Sequence, residues 1–559
     1  MKSARPLAAA LLFALALLPA AGQARPAARP PQVTLLFVAD GLRYDSVTQK
    51  SAPTLWRVKR TGVDFADSHA LYPTITTVNA SAIATGHYIG DTGNFGNALF
   101  TGVPMNSSKG LPIAGMENDP TLAEMNARFG GNYLNETSLL AAARDAGFAT
   151  AALGKVGPTS IQDVTQRDGT GTVVIDDAVG TPQGLPIPAD LAAAITAAGL
   201  PATAPETAVP NGKQQQYLVA VATKVVLPRL LRTGKPVMMV FWSRDPDASQ
   251  HVEKDGSING PTGLAGIKDA DDALAALLAG LKADGVGAPN VFVTADHGFS
   301  TIDNMDGGTA LAPGFLAADV AAALGLPNRK GAIGNDPKKP DAIVVPNGGS
   351  DLIYLFGAGA WGMAAKIAAG LAAKPYAGAI FANDALGDVP GTLKMSAVNL
   401  RGSALTPQPS MVVGFASHVM AGCKPLLMCV AEFADTPLVT GQGMHGTFSR
   451  ADTRNFMAAM GPAFRKAFVD RAPVGNADIA PTLAQILGLT IAPKGGLTGR
   501  PATEALAKGH PVAVARGWIA STAPLGDAGK QFLEYQQVGS TRYFDAAGIP
   551  ARTVGLSAH

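Results

Sequence analysis

The sequence predicts an α/β fold with a mainly parallel central sheet flanked by helices. Two apolar runs carry that prediction. Leu35-Leu36-Phe37-Val38-Ala39-Asp40-Gly41 stops on an acid, and Val291-Phe292-Val293-Thr294-Ala295-Asp296-His297-Gly298 repeats the form with a histidine added. Apolar runs without alternation belong to strands buried on both faces, and open α/β sheets gather their ligands at the carboxyl ends of such strands. The third observation is the alternation of strand-like and helix-like segments along the chain, which argues for parallel strands joined by covering helices.

The first residues stand apart from this pattern. Lys2 and Arg5 are followed by an apolar stretch over 7–18 and by Gly22-Gln23-Ala24. That order is a secretory signal peptide over residues 1–24, with cleavage expected after Ala24. Its apolar part is too short for a spanning helix. A periplasmic or secreted location follows.

Strand and helix then alternate. Residues 33–39 read as a strand and 53–60 as a short helix. A helix opens near Thr76 and stops at Gly86, the residue type suited to a helix end. A helix over 138–145 precedes a strand over 149–153. A long amphipathic helix over 214–232 precedes a strand over 236–242, and a helix over 267–283 precedes the strand 290–295. Irregular, Pro- and Gly-rich insertions are expected near 176–212, 326–349 and 383–437, at least one of them capping the site. One domain over 25–505 holds all the candidate ligands. Residues 506–559 form a C-terminal segment with a hairpin, packed on the same domain.

Charge is balanced. The 44 basic and 42 acidic residues become equal in number once Lys2 and Arg5 are removed. That gives no electrostatic case for binding a nucleic-acid duplex or a membrane surface. No later apolar run is long enough for a membrane span. The two cysteines, Cys423 and Cys429, suit a small disulfide loop in an exported protein.

The candidate site is assembled from scattered acids and histidines. Asp40, Asp296 and His297 can serve one metal; Asp247, His251 and His445 can serve another. Asp247 and His251 are four apart, which puts them on one face of a helical turn. Asp245 competes with Asp247 within Ser243-Arg244-Asp245-Pro246-Asp247 and is disfavoured by spacing. Thr76 stands where a helix begins, a place that offers N–H groups and positive potential to a phosphate, and a neighbouring metal would activate its hydroxyl. Thr74, Thr76 and Thr77 are also each suited to capping that helix.

These motifs resemble, in order, those of the nucleotide pyrophosphatase/phosphodiesterase (type I phosphodiesterase) family of the alkaline phosphatase superfamily. The match runs through Tyr72-Pro73-Thr74-Ile75-Thr76, Asn79, Ala84-Thr85-Gly86 and Asn97. It continues through Phe241 to Asp247 and His251, then Ala295-Asp296-His297-Gly298, Met444-His445-Gly446 and Asp478-Ile479-Ala480-Pro481-Thr482-Leu483. The resemblance implies two Zn2+ ions with Thr76 itself a ligand, a phosphothreonine intermediate, and Asn97 as a ligand to a phosphate oxygen. The expected substrate is a small-molecule phosphodiester or nucleotide pyrophosphate. Two departures stand out. Thr77-Val78 replaces the family's Phe-Pro. Gly154-Lys155-Val156-Gly157 occupies the place of the Lys-x-Arg pair in threonine-type alkaline phosphatases, so Lys155 is either a substrate ligand or a solvated surface lysine.

Three other activities fit less well. An alkaline phosphomonoesterase would use the same scaffold. A sulfatase would need a cysteine in the nucleophile motif, and a phosphoethanolamine transferase would need membrane helices. A non-catalytic binding protein would have no reason to keep all six ligands and Thr76.

Overall fold

The computed structural model describes residues 1, 32–252, 257–306 and 309–557, so residues 2–24 of the expected leader lie outside the described residues. The central sheet has eight strands: β1 Val33–Ala39, β2 Val63–Phe65, β3 Ala149–Gly154, β4 Val173–Asp176, β5 Val237–Ser243, β6 Asn290–Thr294, β7 Met457–Met460 and β8 Phe468–Asp470. Their order is β8-β2-β7-β6-β1-β5-β3-β4. The run β6-β1-β5-β3-β4 is parallel throughout. β7 is antiparallel to both β6 and β2, while β2 and β8 are parallel.

The fold is α/β, and the central sheet is mixed: five of its seven pairings are parallel, and the two made by β7 are antiparallel. The reason lies in how β7 enters. The chain reaches it from the loop carrying His445, beside the carboxyl end of β6, so Met457 pairs with Thr294 and Met460 with Val291. A strand that starts where its neighbour stops must run the opposite way.

Both faces of the sheet are buried, as the apolar runs require. Leu36 and Val38 join one core with Ile75, Val78 and Trp242, while Leu35, Phe37 and Ala39 join another with Phe241 and Val293. The helix α1 Thr76–Thr85 lies in the first core and has every residue buried; Gly86 follows it in the left-handed conformation.

Three local readings need correction. The helix expected over 214–232 is interrupted: Gly212–Val221 passes into a π-helical turn, Ala222–Val226, before Leu227–Arg232. Pro228 supplies no N–H and its ring crowds the preceding turn, which widens there. The C-terminal hairpin across Gly539, strands Phe532–Val538 and Thr541–Gly548, gains a third antiparallel strand, Ala515–Ala520. The stretches 326–349 and 383–437 are more ordered than irregular loops. They hold strands of a seven-stranded sheet, among them Ala342–Pro346 and Met411–Phe415, which packs its own apolar core against helices Phe315–Leu324 and Ala360–Ala372. The 176–212 stretch contains the helix Ala189–Ala197, whose Leu191 and Ile195 cover the central sheet. Cys423 and Cys429 are joined in a disulfide.

Candidate active site

Asp40 follows β1 directly, where its N–H still pairs with Ser243 O of β5 at 3.1 Å. Its side chain is fully buried; Oδ2 accepts the Trp242 indole N–H at 2.8 Å, and Oδ1 has no hydrogen-bond partner. Asp296 follows β6 at Ala295 and ties the two strand ends together, because Oδ1 accepts Gly41 N–H at 2.9 Å while Oδ2 has no partner. Gly41 has φ +66, and a Cβ there would lie 2.9 Å from the Phe299 ring, so only glycine turns this corner. Asp247 opens the short helix α2 Asp247–Val252, and its N–H donates to Asp40 O at 3.0 Å. Asp247 Oδ1 is a third buried carboxylate oxygen without a hydrogen-bond partner. The competitor Asp245 turns away from this point and caps α2, accepting Ser249 N–H, Ser249 Oγ–H and Asn211 N–H.

The three histidines share one device. Each sets Nδ1 against a backbone carbonyl: His251 against Gly443 O at 3.0 Å, His297 against Gly298 O at 2.9 Å and His445 against Thr74 O at 2.8 Å. A carbonyl only accepts, so Nδ1 carries the hydrogen and Nε2 presents its lone pair, the arrangement that orients a metal-binding imidazole. All three Nε2 atoms face the acids. His251 and His445 lie 3.2 and 3.6 Å from Asp247 Oδ1. His297 lies 3.3 Å from Asp296 Oδ2 and 3.7 Å from Asp40 Oδ1. The His297 and His445 rings stack at 3.6 Å, which brings the two sets together. Asp247, His251 and His445 can hold one ion, and Asp40, Asp247 and His297 lie close enough to hold another.

The structure separates the three threonines. Thr74 Oγ1 donates to Thr447 O and Thr77 Oγ1 donates to Gly96 O. Thr76, the first residue of α1, instead puts Oγ1 3.3 Å from His297 Nε2. Asn97 Oδ1 accepts Thr77 N–H at 3.0 Å, which fixes its amide beside the start of α1. Asn79 braces the same turn by accepting Leu71 N–H and donating to Leu71 O and Ile75 O.

Lys155, at the end of β3, is not a solvated lysine. Its side chain is 3% exposed, and Nζ lies 3.0 Å from Asp40 Oδ2, 2.9 Å from Glu117 Oε1 and 3.2 Å from Asp247 Oδ2. Burial works against its charge, but Asp247, Asp40 and Glu117 outweigh it and hold its pKa well above the usual lysine range. Burial also disfavours Asp247 ionisation, yet Lys155, His251 and His445 together hold that carboxyl well below the usual range. Burial, then Asp296, push Asp40 well up, and burial with the facing His297 pushes His445 well down.

A family model described as type I phosphodiesterase / nucleotide pyrophosphatase matches residues 34–345. The chain belongs to this type I phosphodiesterase / nucleotide pyrophosphatase family. Among curated proteins none matches. The phosphodiesterase match takes in Asp40, Thr76, Asp247, His251, Asp296 and His297; His445 lies beyond it and is brought to the site by the fold.

Three residues at this site had no role assigned from the sequence. Trp242 stood within the motif Phe241 to Asp247, but nothing there marked it as the partner of Asp40. Asn476 sits in the closing segment, where its amide donates to Asp296 O at 2.7 Å and to Asn79 Oδ1 at 2.9 Å. Glu117 follows a hairpin and had no motif to mark it.

Proposed function

We propose that the protein is an exported, two-zinc phosphodiesterase or nucleotide pyrophosphatase on an alkaline phosphatase-like scaffold, acting through a phosphothreonine at Thr76. The observation that supports this most strongly is convergence. Three imidazole Nε2 atoms lie within 3.6 Å of aspartate oxygens, three buried carboxylate oxygens there have no hydrogen-bond partner, and the Thr76 hydroxyl stands 3.3 Å from one of the imidazoles, His297. Unpaired carboxylates are costly to bury, and a cation is what such a donor set fits. Asp40, Asp296, His297 and Thr76 would hold one zinc, and Asp247, His251 and His445 the other. Bound zinc would supply Lewis acidity, lowering the hydroxyl's pKa and neutralising charge on the phosphoryl oxygens.

The chain's own residues do the rest. Asn97 Nδ2 donates to a non-bridging phosphoryl oxygen, and Lys155 adds positive potential at the same end. Thr76 Oγ1 attacks phosphorus in line. The bond to the leaving alcohol or phosphate oxygen breaks, leaving a phosphodiester on Thr76. Water then attacks phosphorus from the opposite side, and Thr76 regains its hydroxyl. A periplasmic or secreted site of action follows from the leader sequence.

Thr76→Ala tests the nucleophile. Diester turnover should fall by about a thousandfold or more, with zinc content by mass spectrometry retained through the other six ligands. Substantial residual turnover would remove Thr76 from the role. The rival reading, a phosphomonoesterase, draws on Lys155 lying at the site. Comparing kcat/KM for bis-p-nitrophenyl phosphate and p-nitrophenyl phosphate separates the two.

A further inference from the structure

Glu117 takes no part in the mechanism above, yet its carboxylate reaches the lysine at the centre of the site. We propose that Glu117 is a specificity-determining residue that sets the site against phosphoryl groups carrying a second negative charge, so that diesters are taken and monoesters refused. This deepens the phosphodiester reading and rests on it.

The charge around Lys155 supports the assignment. Nζ faces three carboxylate oxygens, at 3.0 Å on Asp40, 2.9 Å on Glu117 and 3.2 Å on Asp247, and donates a hydrogen bond to the last. One cation among three acids leaves little positive potential for the second charge of a monoester. The next cation along is committed as well: Arg244 places Nε 2.7 Å and Nη2 2.6 Å from Asp177 Oδ2. Glu117 is also the most exposed of these three acids. Its side chain is 31% exposed, against 3% for Lys155, none for Asp40 and 7% for Asp247. A dianion entering the site meets that carboxylate, and like charges a few ångströms apart repel strongly where water is scarce.

Backbone packing gives the second line of support. Gly157 lies two residues after Lys155, on the side facing Glu117. Gly157 has φ +92, and a Cβ there would lie 2.6 Å from Glu117 Cα. The chain at Glu117 fills the space a side chain at 157 would need, so the glycine and the position of the acid are one arrangement. Glu117 is held there by the hairpin of strands Ala98–Met105 and Leu111–Gly115, closed at its base by Met116 N–H donating to Asn97 O at 2.7 Å. The acid therefore stands alongside the residue proposed to grip the phosphoryl group.

The test uses zinc-loaded wild type, Glu117→Gln and Glu117→Asp. Each is assayed for kcat/KM on bis-p-nitrophenyl phosphate and p-nitrophenyl phosphate, and for the Kd of inorganic phosphate by calorimetry. Glu117→Gln should raise monoester kcat/KM about tenfold or more, leave the diester within about threefold, and tighten phosphate binding by a similar factor. Glu117→Asp, which keeps the charge, should stay near wild type. A monoester-to-diester ratio unchanged within about twofold in Glu117→Gln, or a parallel loss on both substrates, overturns the assignment. Wild type preferring the monoester would instead sink the phosphodiester reading, and the change of ratio in Glu117→Gln would still decide what Glu117 does.

Discussion

Replacing Trp242 with Phe isolates the support of one ligand from the ligand itself. Trp242 is fully buried, and its indole N–H donates to Asp40 Oδ2 at 2.8 Å. Phenylalanine keeps most of the packing and removes that donor. In the metal-free protein burial and then Asp296 favour the neutral Asp40 carboxyl, so the hydrogen bond is worth roughly 0.5–1.5 kcal/mol, and the void left by the smaller ring adds on the order of 1 kcal/mol. The metal-free variant should therefore unfold with about 1.5–2.5 kcal/mol less stability in urea. Asp40 would keep Lys155 as an anchor, 3.0 Å away, but would lose the partner that fixes its rotation. Partners of that kind are worth about 10–100-fold in metal affinity. Competition against a chromophoric chelator should show the affinity of one zinc falling by that factor and the other staying in place, because His251 and His445 do not touch Trp242. Two zinc affinities both within about threefold of wild type, alongside the expected loss of stability, would refute the argument and reduce Trp242 to packing.

Two further outcomes follow from burial and charge. Asp470 has a buried Oδ2 with no partner, and burial pushes its pKa from 3.8 up to about 7. A raised folded-state value favours the protonated form, so its contribution is complete below about pH 4 and is lost as pH rises to about 7, with an upper limit of about 4 kcal/mol. Asp470→Asn should flatten that part of the pH profile in urea titrations and be more stable than wild type at pH 8; identical profiles would refute it. Chelation should lower the melting temperature by several degrees, because removing the ions leaves Asp40 Oδ1, Asp247 Oδ1 and Asp296 Oδ2 buried without a hydrogen-bond partner. Zinc should restore it, and a melting temperature indifferent to zinc would count against the metal site.

The parts of the fold legible in the sequence were those that repeat one physical rule. β1, β5 and β6 are apolar on both faces, so their runs have no competing interpretation, and the acids that end them had to lie at one sheet edge. The direction of β7 was not legible. Met457–Met460 is four residues long, and nothing in it records that the chain arrives from the His445 loop at the carboxyl end of β6. The seven-stranded sheet escaped notice for a related reason. Its strands lie between Gly, Pro and Asn clusters that read as loops, and its pairings bring distant segments together, such as Ser350–Leu355 with Met411–Phe415.

The site divides along a different line. Metal chemistry restricts ligands to a few residue types at strand ends and on helical turns, so Asp40, Asp247, His251, Asp296, His297 and His445 stand out in the sequence as candidate ligands. The groups that hold those ligands still are under no such restriction, because any donor of the right length serves. A tryptophan steadies Asp40, an asparagine from the closing segment steadies the turn after β6, and backbone carbonyls steady all three histidines. Glu117 is the sharpest case. The missing arginine was readable as a glycine at 157, but its meaning depended on which chain fills the vacant space. A glycine facing water would have left Lys155 free to take a third phosphoryl oxygen; a glycine pressed against the backbone of an acid does the reverse. The sequence change is the same in both, and only the neighbour decides its sign.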